Sequence, residues 1–483
     1  MSNEIFSESL AYNNIKRRAV SSRSYRVRLP PSNATSFVPG NVIQFDLPAN
    51  LAGTYFNSNQ CYLKFNLKNL SKVVAGDVDG TANVRLDRPG AYSLIRRLQI
   101  STAGAQLQDT DRYNVLACAM LDTDASHEWK ASVGKSLCGI QTSGAGEWVG
   151  GTTAVGVSPV PLPNGRDYCL PLILNVLSQS TPHRFFPLFS LSPIQMRFTL
   201  EDASTVFKLA AGTANYAISD VELVMMLTEL SPSAQASVDA MTGGRYDILA
   251  TSWSNSTATK EAGANAVTAN LGISVSSLER VIIIHRKQAV ANGSIATFTI
   301  GGRDTAAITE YSLLINSEQY PARPIRADSL FGAEPMAELL QADHSLANFQ
   351  KGNGLNNALL VSASAYAPNN MFFLQDPVAP ADNVGYVLTN GTQDVEGGVG
   401  ALGAVAGSNI GYFVASIELE SGISDGKSSH IYSGISTLAS TVQFLGKYNS
   451  ANAGDAYTID FFSNFTVLIS LNMRGTGVYS VSV

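Results

Sequence analysis

The chain has 483 residues, of which 45% are apolar and only 14% charged, with a formal net charge of −6. That length exceeds what one hydrophobic core organises and points to two domains of roughly 200–250 residues. No apolar run reaches the ~18 residues of a membrane span, which excludes a helical membrane protein. The charged fraction lies far below the usual ~25%. Neutral polar residues fill the gap beside 40 Gly and 19 Pro, as suits many short strands joined by turns, or a surface covered by neighbours.

In chain order, residues 1–35 read as a basic arm closed by Pro30-Pro31. Lys16, Arg17, Arg18, Arg23, Arg26 and Arg28 stand there against Glu4 and Glu8. A basic arm on an acidic body implies a partner of its own: a neighbouring subunit, an acidic surface, DNA or a membrane face. Tyr12 and Tyr25 lie within it without the spacing of a stacking platform. The opening MSNEIFSESLAYNN lacks the basic and apolar regions of a signal peptide. The expectation is a soluble chain made in the cytosol.

Ile43, Phe45 and Leu47 alternate with Gln44 and Asp46, the period of a strand with one buried face. Residues 61–67 repeat that pattern. Residues 94–109 read as a hairpin turning at Ala103-Gly104-Ala105, and Asp109 or Asp111 is placed to cap a helix over 112–121. A Gly/Ser/Thr/Pro-rich loop spans 141–166. Leu170 to Val176 is a short apolar run. After Pro193, Ile194, Met196, Phe198 and Leu200 alternate with Gln195, Arg197 and Thr199. A strand over 217–230 ends at Ser231-Pro232-Ser233, where the domain boundary falls: 36–232 before it, 233–483 after.

The second half repeats the plan. Val281 to Ile284 is a buried run, 297–300 a short strand, and 311–321 a hairpin about Asn316-Ser317-Glu318. A helix follows from Pro335 to about Asn348, with Met336, Leu339 and Leu340 on its apolar side. A long loop over 376–410 precedes strands at 412–419, 457–462 and 467–473. Strands, hairpin, short helix, long loop and closing strands thus occur twice, a two-fold repeated β-sandwich.

Motifs of chemistry are absent. The histidines (His127, His183, His285, His344, His430) form no HExxH and no pair at ligand spacing, and there is no GxSxG or phosphate-loop pattern. The glycines at 397–400 lack the helix that a dinucleotide site needs. Cys61, Cys118, Cys138 and Cys169 have neither metal spacing nor a disulfide framework and read as free thiols of a reducing compartment. The expectation is no catalytic, cofactor or metal site, and no enzyme.

Five stretches carry a resemblance: GNVIQFDLP after the basic arm, RLQISTAGAQLQDTDRYNVLACAML, LPLILNVLSQSTPHRFFPLFSLSPIQMRFTL, LERVIIIHRKQ and YSLLINSEQYPARPIRADSLF. Over roughly 36–483 the chain resembles the double jelly-roll major capsid proteins of tailless icosahedral dsDNA viruses, the polinton-like virus and virophage type. The resemblance implies an all-β fold of two tandem eight-stranded jelly rolls with short helices in loops. It implies a homotrimeric, pseudo-hexagonal capsomer in a virion shell enclosing dsDNA, neighbouring capsomers, penton and minor capsid proteins as partners, and no cofactor. Loops at 141–166 and 376–434 would form outward towers, short in a chain of this length. The arm would lie inside, against genome, inner membrane or minor proteins. The alternatives are a carbohydrate-binding or glycan-active β-sandwich protein, or a vertex or minor capsid protein. For the first, the tryptophans Trp129, Trp148 and Trp253 are scattered rather than clustered.

Overall fold

The structure, a computed structural model, describes residues 22–140, 165–288, 299–343, 413–420, 434–449 and 455–482, apart from 50, 83, 103–104, 127–128, 179, 182–184, 189–192, 210–211, 304–305, 328–332 and 473–478. The loops at 141–164 and 376–410 lie outside these residues.

Thirteen strands belong to the first half: β1 (Ser22–Leu29), β2 (Ser36–Phe37), β3 (Val42–Asp46), β4 (Thr54–Asn69), β5 (Arg85–Leu86), β6 (Ile95–Thr102), β7 (Ala105–Thr110), β8 (Arg166–Pro171), β9 (Ser180–Thr181), β10 (Phe186–Pro187), β11 (Gln195–Leu200), β12 (Phe207–Lys208) and β13 (Tyr216–Leu230). Helix α1 (Tyr113–Asp124) follows β7, and helix α2 (Pro232–Thr242) leads into the second half. That half contains β14 (Arg245–Lys260), β15 (Ala266–Asn270), β16 (Leu278–Lys287), β17 (Ile308–Ile315), β18 (Glu318–Arg326), helix α3 (Ala333–Ala342), β19 (Ala415–Glu418), β20 (Val442–Tyr448), β21 (Tyr457–Asn472) and β22 (Tyr479–Ser482).

The two halves share one wiring. In the first, one sheet runs β1-β13-β4 and ends on β8 and β10, with β2 also on β13; the facing sheet runs β3-β11-β6-β7. In the second, the sheets run β14-β21-β16-β19 and β15-β20-β17-β18. Among the eight strands that build each sandwich, the first pairs with the last and the second with the penultimate, β1 with β13 and β3 with β11, then β14 with β21 and β15 with β20, all antiparallel. That is the order of an eight-stranded jelly roll. The repeat of elements visible in the sequence is therefore a repeat of topology.

Each sandwich is held by the inward faces of its two sheets. On β11, Met196, Phe198 and Leu200 are buried while Arg197 is exposed, as its alternation requires. Phe198 meets Phe45 edge to face, with ring centroids 6.0 Å apart, at the centre of the first core. Phe444 and Phe461 take that place in the second, at 5.0 Å. The expected hairpins form as β6–β7 and β17–β18. Between β17 and β18, Asn316 (φ 50°) and Ser317 (φ 72°) both take the left-handed conformation of a tight hairpin turn.

Several expectations are corrected. The arm read over 1–35 is shorter, because residues 22–29 form β1, an edge strand paired with β13 from Leu223 to Leu230. Its alternation of Tyr25, Val27 and Leu29 towards the core was hidden among arginines. Ser231-Pro232-Ser233 ends β13 but also starts α2: Ser231 Oγ accepts from the Ala234 amide and Pro232 occupies the first turn. Neither Asp109 nor Asp111 caps α1; the cap is Arg112 in a left-handed conformation, and the two acids pair with Arg97 and Arg96 instead. The strands read at 457–462 and 467–473 are one 16-residue strand, β21. The strand expected at 297–300 is not one where it is described: Thr299 to Gly301 bend across to the other sandwich. The helix expected over 335–348 runs from Ala333 to Ala342. No helix of the described residues is long and apolar enough to cross a membrane.

Replacing Phe198 by Ala should cost about 3–5 kcal/mol, read as a lower urea midpoint with an unchanged denaturant slope. A loss below about 1 kcal/mol would mean that the first core does not close around this ring.

Candidate functional site

Among the described residues, the most constructed place is the seam between the two sandwiches. Strand β7 runs against β14. Thr110 Oγ1 donates to the Trp253 carbonyl at 2.9 Å, and Ser252 Oγ donates to the Leu107 carbonyl at 3.3 Å. Strand β9, sent out from the first half, adds to the edge of β14 opposite Leu249 and Ala250.

Three acids are buried along this seam in a chain that is otherwise poor in charge. Asp87 is 0% exposed and accepts three successive backbone N–H groups from the second half: Thr299 at 2.7 Å, Ile300 at 3.1 Å and Gly301 at 2.9 Å. Lys208 of β12 lies 3.5 Å from the same carboxylate and donates to Thr299 Oγ1 at 2.7 Å. Burial pushes the Lys208 ammonium down to about 8, against the pull of Asp87. Gly301 is required by space, since a Cβ there would sit 2.5 Å from the Arg88 side chain, whose guanidinium donates to the Gly301 carbonyl at 3.2 Å.

Asp122, on α1, gathers Arg88 at 3.2 Å, Lys130 at 3.3 Å, and Arg303 from the second half. Burial alone would raise its carboxyl, but these three cations outweigh it and hold the group well below the usual carboxylate range. Asp460, on β21, bonds Arg286 of its own half at 2.8 Å and Arg112 of the first. All three carboxylates therefore reach across the seam or are reached from across it. A buried charge stripped of its partner costs about 3–5 kcal/mol, so these contacts fix one orientation of the two sandwiches and penalise others.

A polar cleft of about 200 Å³ opens beside Asp460, lined by Arg96, Arg112, Glu201, Asp202, Ser204 and Arg286 among others. Its charges largely answer one another: Arg112 and Arg286 turn to Asp460, Arg96 to Asp111, and Glu201 accepts from Asn114 at 3.0 Å. Among the described residues no three His, Cys, Asp or Glu side chains are grouped to hold a metal ion. His285 is buried in the second core, bonded through Nε2 to the Tyr448 hydroxyl at 2.9 Å. Desolvation, with Lys260 nearby, brings it down to about 3.

Of the arm residues singled out from the sequence, Lys16, Arg17 and Arg18 lie outside the described residues. Arg23, Arg26 and Arg28 stand exposed on β1. Arg23 reaches Glu229 at 2.8 Å and Arg28 reaches Glu222 at 3.4 Å, both on β13. Exposed pairs of this kind contribute about 0–1 kcal/mol each, enough to favour the strand register and little more. Sequence reading missed the seam altogether. Its one visible signal was an acid set inside an apolar run, as Asp460 is in Tyr-Thr-Ile-Asp-Phe-Phe.

No family model and no curated protein sequence matches the chain. Among solved structures it is similar to the PBCV-1 protein VP54, as fitted into a reconstruction of the virophage Sputnik, at TM-score 0.57 and 9% identity, over 97% of this chain and 98% of that one. The Faustovirus major capsid protein is similar at TM-score 0.57 and 8% identity, over 95% and 92%. A chain from the Sputnik virophage structure gives 0.53 and 10%, over 100% and 93%. Across this sequence distance the likeness is one of fold, and the fold is the double jelly roll of these proteins.

Two outcomes are expected. Asp87→Asn should lower stability by about 3–5 kcal/mol in denaturant unfolding, and Asp87→Asn with Lys208→Met should recover part of that loss because no buried cation is left unanswered. For His285, the unfolded side chain titrates near 6.5 and the folded one near 3. Above about pH 6.5 both states are neutral. Below it the unfolded chain takes up a proton that the folded chain refuses, so stability falls as pH drops, by up to about 1.4 kcal/mol per unit. His285→Gln should flatten that slope in a pH series of urea midpoints; an unchanged slope would remove His285 as its cause.

Proposed function

We propose that the chain is a major capsid protein, the structural building block of an icosahedral virus shell around dsDNA. The observation that carries this reading is the pair of jelly rolls with identical strand order, set side by side and joined through buried charge. Three such chains present six similar lobes, so a trimer can occupy the near-hexagonal positions of a shell while remaining a closed, three-fold object. On this reading the partners are two further copies in a homotrimer, neighbouring capsomers, and penton and minor capsid proteins. The protein acts in the virion and by assembly, not by catalysis.

The arm, with Lys16, Arg17 and Arg18, is assigned to the inner side of the shell, towards genome, inner membrane or neighbouring proteins. The two structural units divide at α2. A glycan-binding reading has less behind it: Trp253 is fully buried and Trp129 half-buried, while Trp148 lies outside the described residues. That leaves no exposed aromatic platform built from the described tryptophans.

Light scattering of the purified protein should give three times the 51.2 kDa of one chain, and thermal unfolding should shift upward with protein concentration, as mass action requires of an obligate oligomer. A stable species of one chain, with a concentration-independent midpoint, would overturn the reading.

A further inference from the structure

Helix α3 carries two acids that no cation answers. Glu334 and Glu338 stand four positions apart on one face of the helix, with roughly 5–6 Å between their Cβ atoms. Among the described residues neither has a hydrogen bond or an ion pair. At the seam the chain meets its buried acids with cations: Lys208 at Asp87, Arg88 at Asp122 and Arg286 at Asp460. Glu334 by itself suits its place, exposed in the first turn, where the helix dipole favours a carboxylate. Glu338 lies a turn further in and is half-buried. Burial raises its carboxyl above the usual carboxylate range, and the charge of Glu334 raises it further.

Tyr311 faces these two acids from β17. Its ring is 0% exposed, in register with Ile325 of β18 and Gly446 of β20. Its hydroxyl is buried with it and has no hydrogen-bond partner. Tyr92 and Tyr113, also buried, donate theirs to the Pro171 and Ile173 carbonyls, each at 2.7 Å. A buried hydroxyl left without a partner costs stability, so a missing partner has to be accounted for. Helix α3 packs on β18 and β19. Behind desolvation, the charges that act on the Tyr311 phenol are Glu338 and then Glu334, and they hold its proton on. The orphaned hydroxyl and the two unanswered carboxylates therefore belong to one place.

We propose that Glu334, Glu338 and the Tyr311 hydroxyl are the protein's share of a divalent-cation site of the calcium class. The donors are all oxygen, with neither thiol nor imidazole, which selects a hard cation. Two carboxylates match its charge, and their mutual repulsion becomes attraction to a common centre. The phenol offers the cation a lone pair while keeping its own proton. Water completes the shell, as calcium tolerates and as the stricter octahedron of magnesium does less readily. Three groups from one helix and one strand make an open site rather than a cage, so the affinity belongs to the weak class, about 10⁻⁴–10⁻³ M. The site goes beyond the capsid reading and does not depend on it. No cluster of three His, Cys, Asp or Glu marks it, because its third donor is a tyrosine.

The test uses the full chain, stripped with a chelator and unfolded by denaturant in calcium chloride or in sodium chloride of equal ionic strength. Calcium at about ten times its dissociation constant should raise the folded-to-unfolded ratio roughly tenfold. Glu338→Gln, which keeps the side chain's shape, should abolish that rise, while Glu229→Gln on β13 keeps it. A rise of equal size in Glu338→Gln, or none in the unaltered protein, would overturn the site. A second readout is terbium(III), which takes the same oxygen ligands and emits when excited through a nearby tyrosine. Emission is expected from the unaltered protein, and should be lost in Glu338→Gln and weakened in Tyr311→Phe. Equal emission from all three contradicts the assignment. So does a protein whose oligomer, by light scattering, survives the chelator but dissociates in Glu338→Gln, since the acid's partner is then a basic side chain of a neighbouring copy.

Discussion

The relation between the two jelly rolls depends on one carboxylate. Asp87 leaves the first sandwich and accepts three consecutive amide groups from the second, with Lys208 behind it. Three N–H donors converging on one acid define a position more narrowly than an apolar contact can, because hydrogen bonds to an ionised group lose much of their strength with small displacements. Asp122 and Asp460 add two further anchors with crossing arginines. An apolar seam of the same area would bind as well but would tolerate sliding. A subunit that must present two lobes at a fixed angle is better served by charge that is costly to misplace.

That choice accounts for the distribution of charge. Only 14% of the chain is charged, yet Arg85, Arg88, Arg286, Arg303, Lys208, Asp87, Asp122 and Asp460 are all buried around the seam. Much of the outer surface is left to serine, threonine, asparagine and glutamine. Such a surface suits broad contacts in which few charges need desolvation. The two halves are alike in wiring.

Much of the architecture was legible in the sequence where one sheet face is wet. Strands β3, β11 and the β6–β7 hairpin alternate cleanly because arginines and glutamines mark their outer sides. Strand β14 was not legible. Its segment Thr-Ser-Trp-Ser-Asn-Ser-Thr-Ala-Thr-Lys resembles a polar loop: of its hydroxyl residues only Ser252 is buried, against the Leu107 carbonyl of the first sandwich, while Thr257 and Thr259 are exposed. Strand β1 was masked by its arginines. The seam was illegible for a different reason: Asp87 meets residues 299–301, more than two hundred positions away, and nothing local marks them as partners. A single sequence shows periodicity but not which distant segments meet.

The most direct measurement is electron microscopy of the assembled protein, averaged without imposed symmetry. Six lobes about a three-fold axis are expected, with the two lobes of each chain at one constant spacing and angle. Two-lobed particles, or lobes of one chain whose mutual angle varies from image to image, would contradict the claim that buried charge makes the two jelly rolls a single rigid building block.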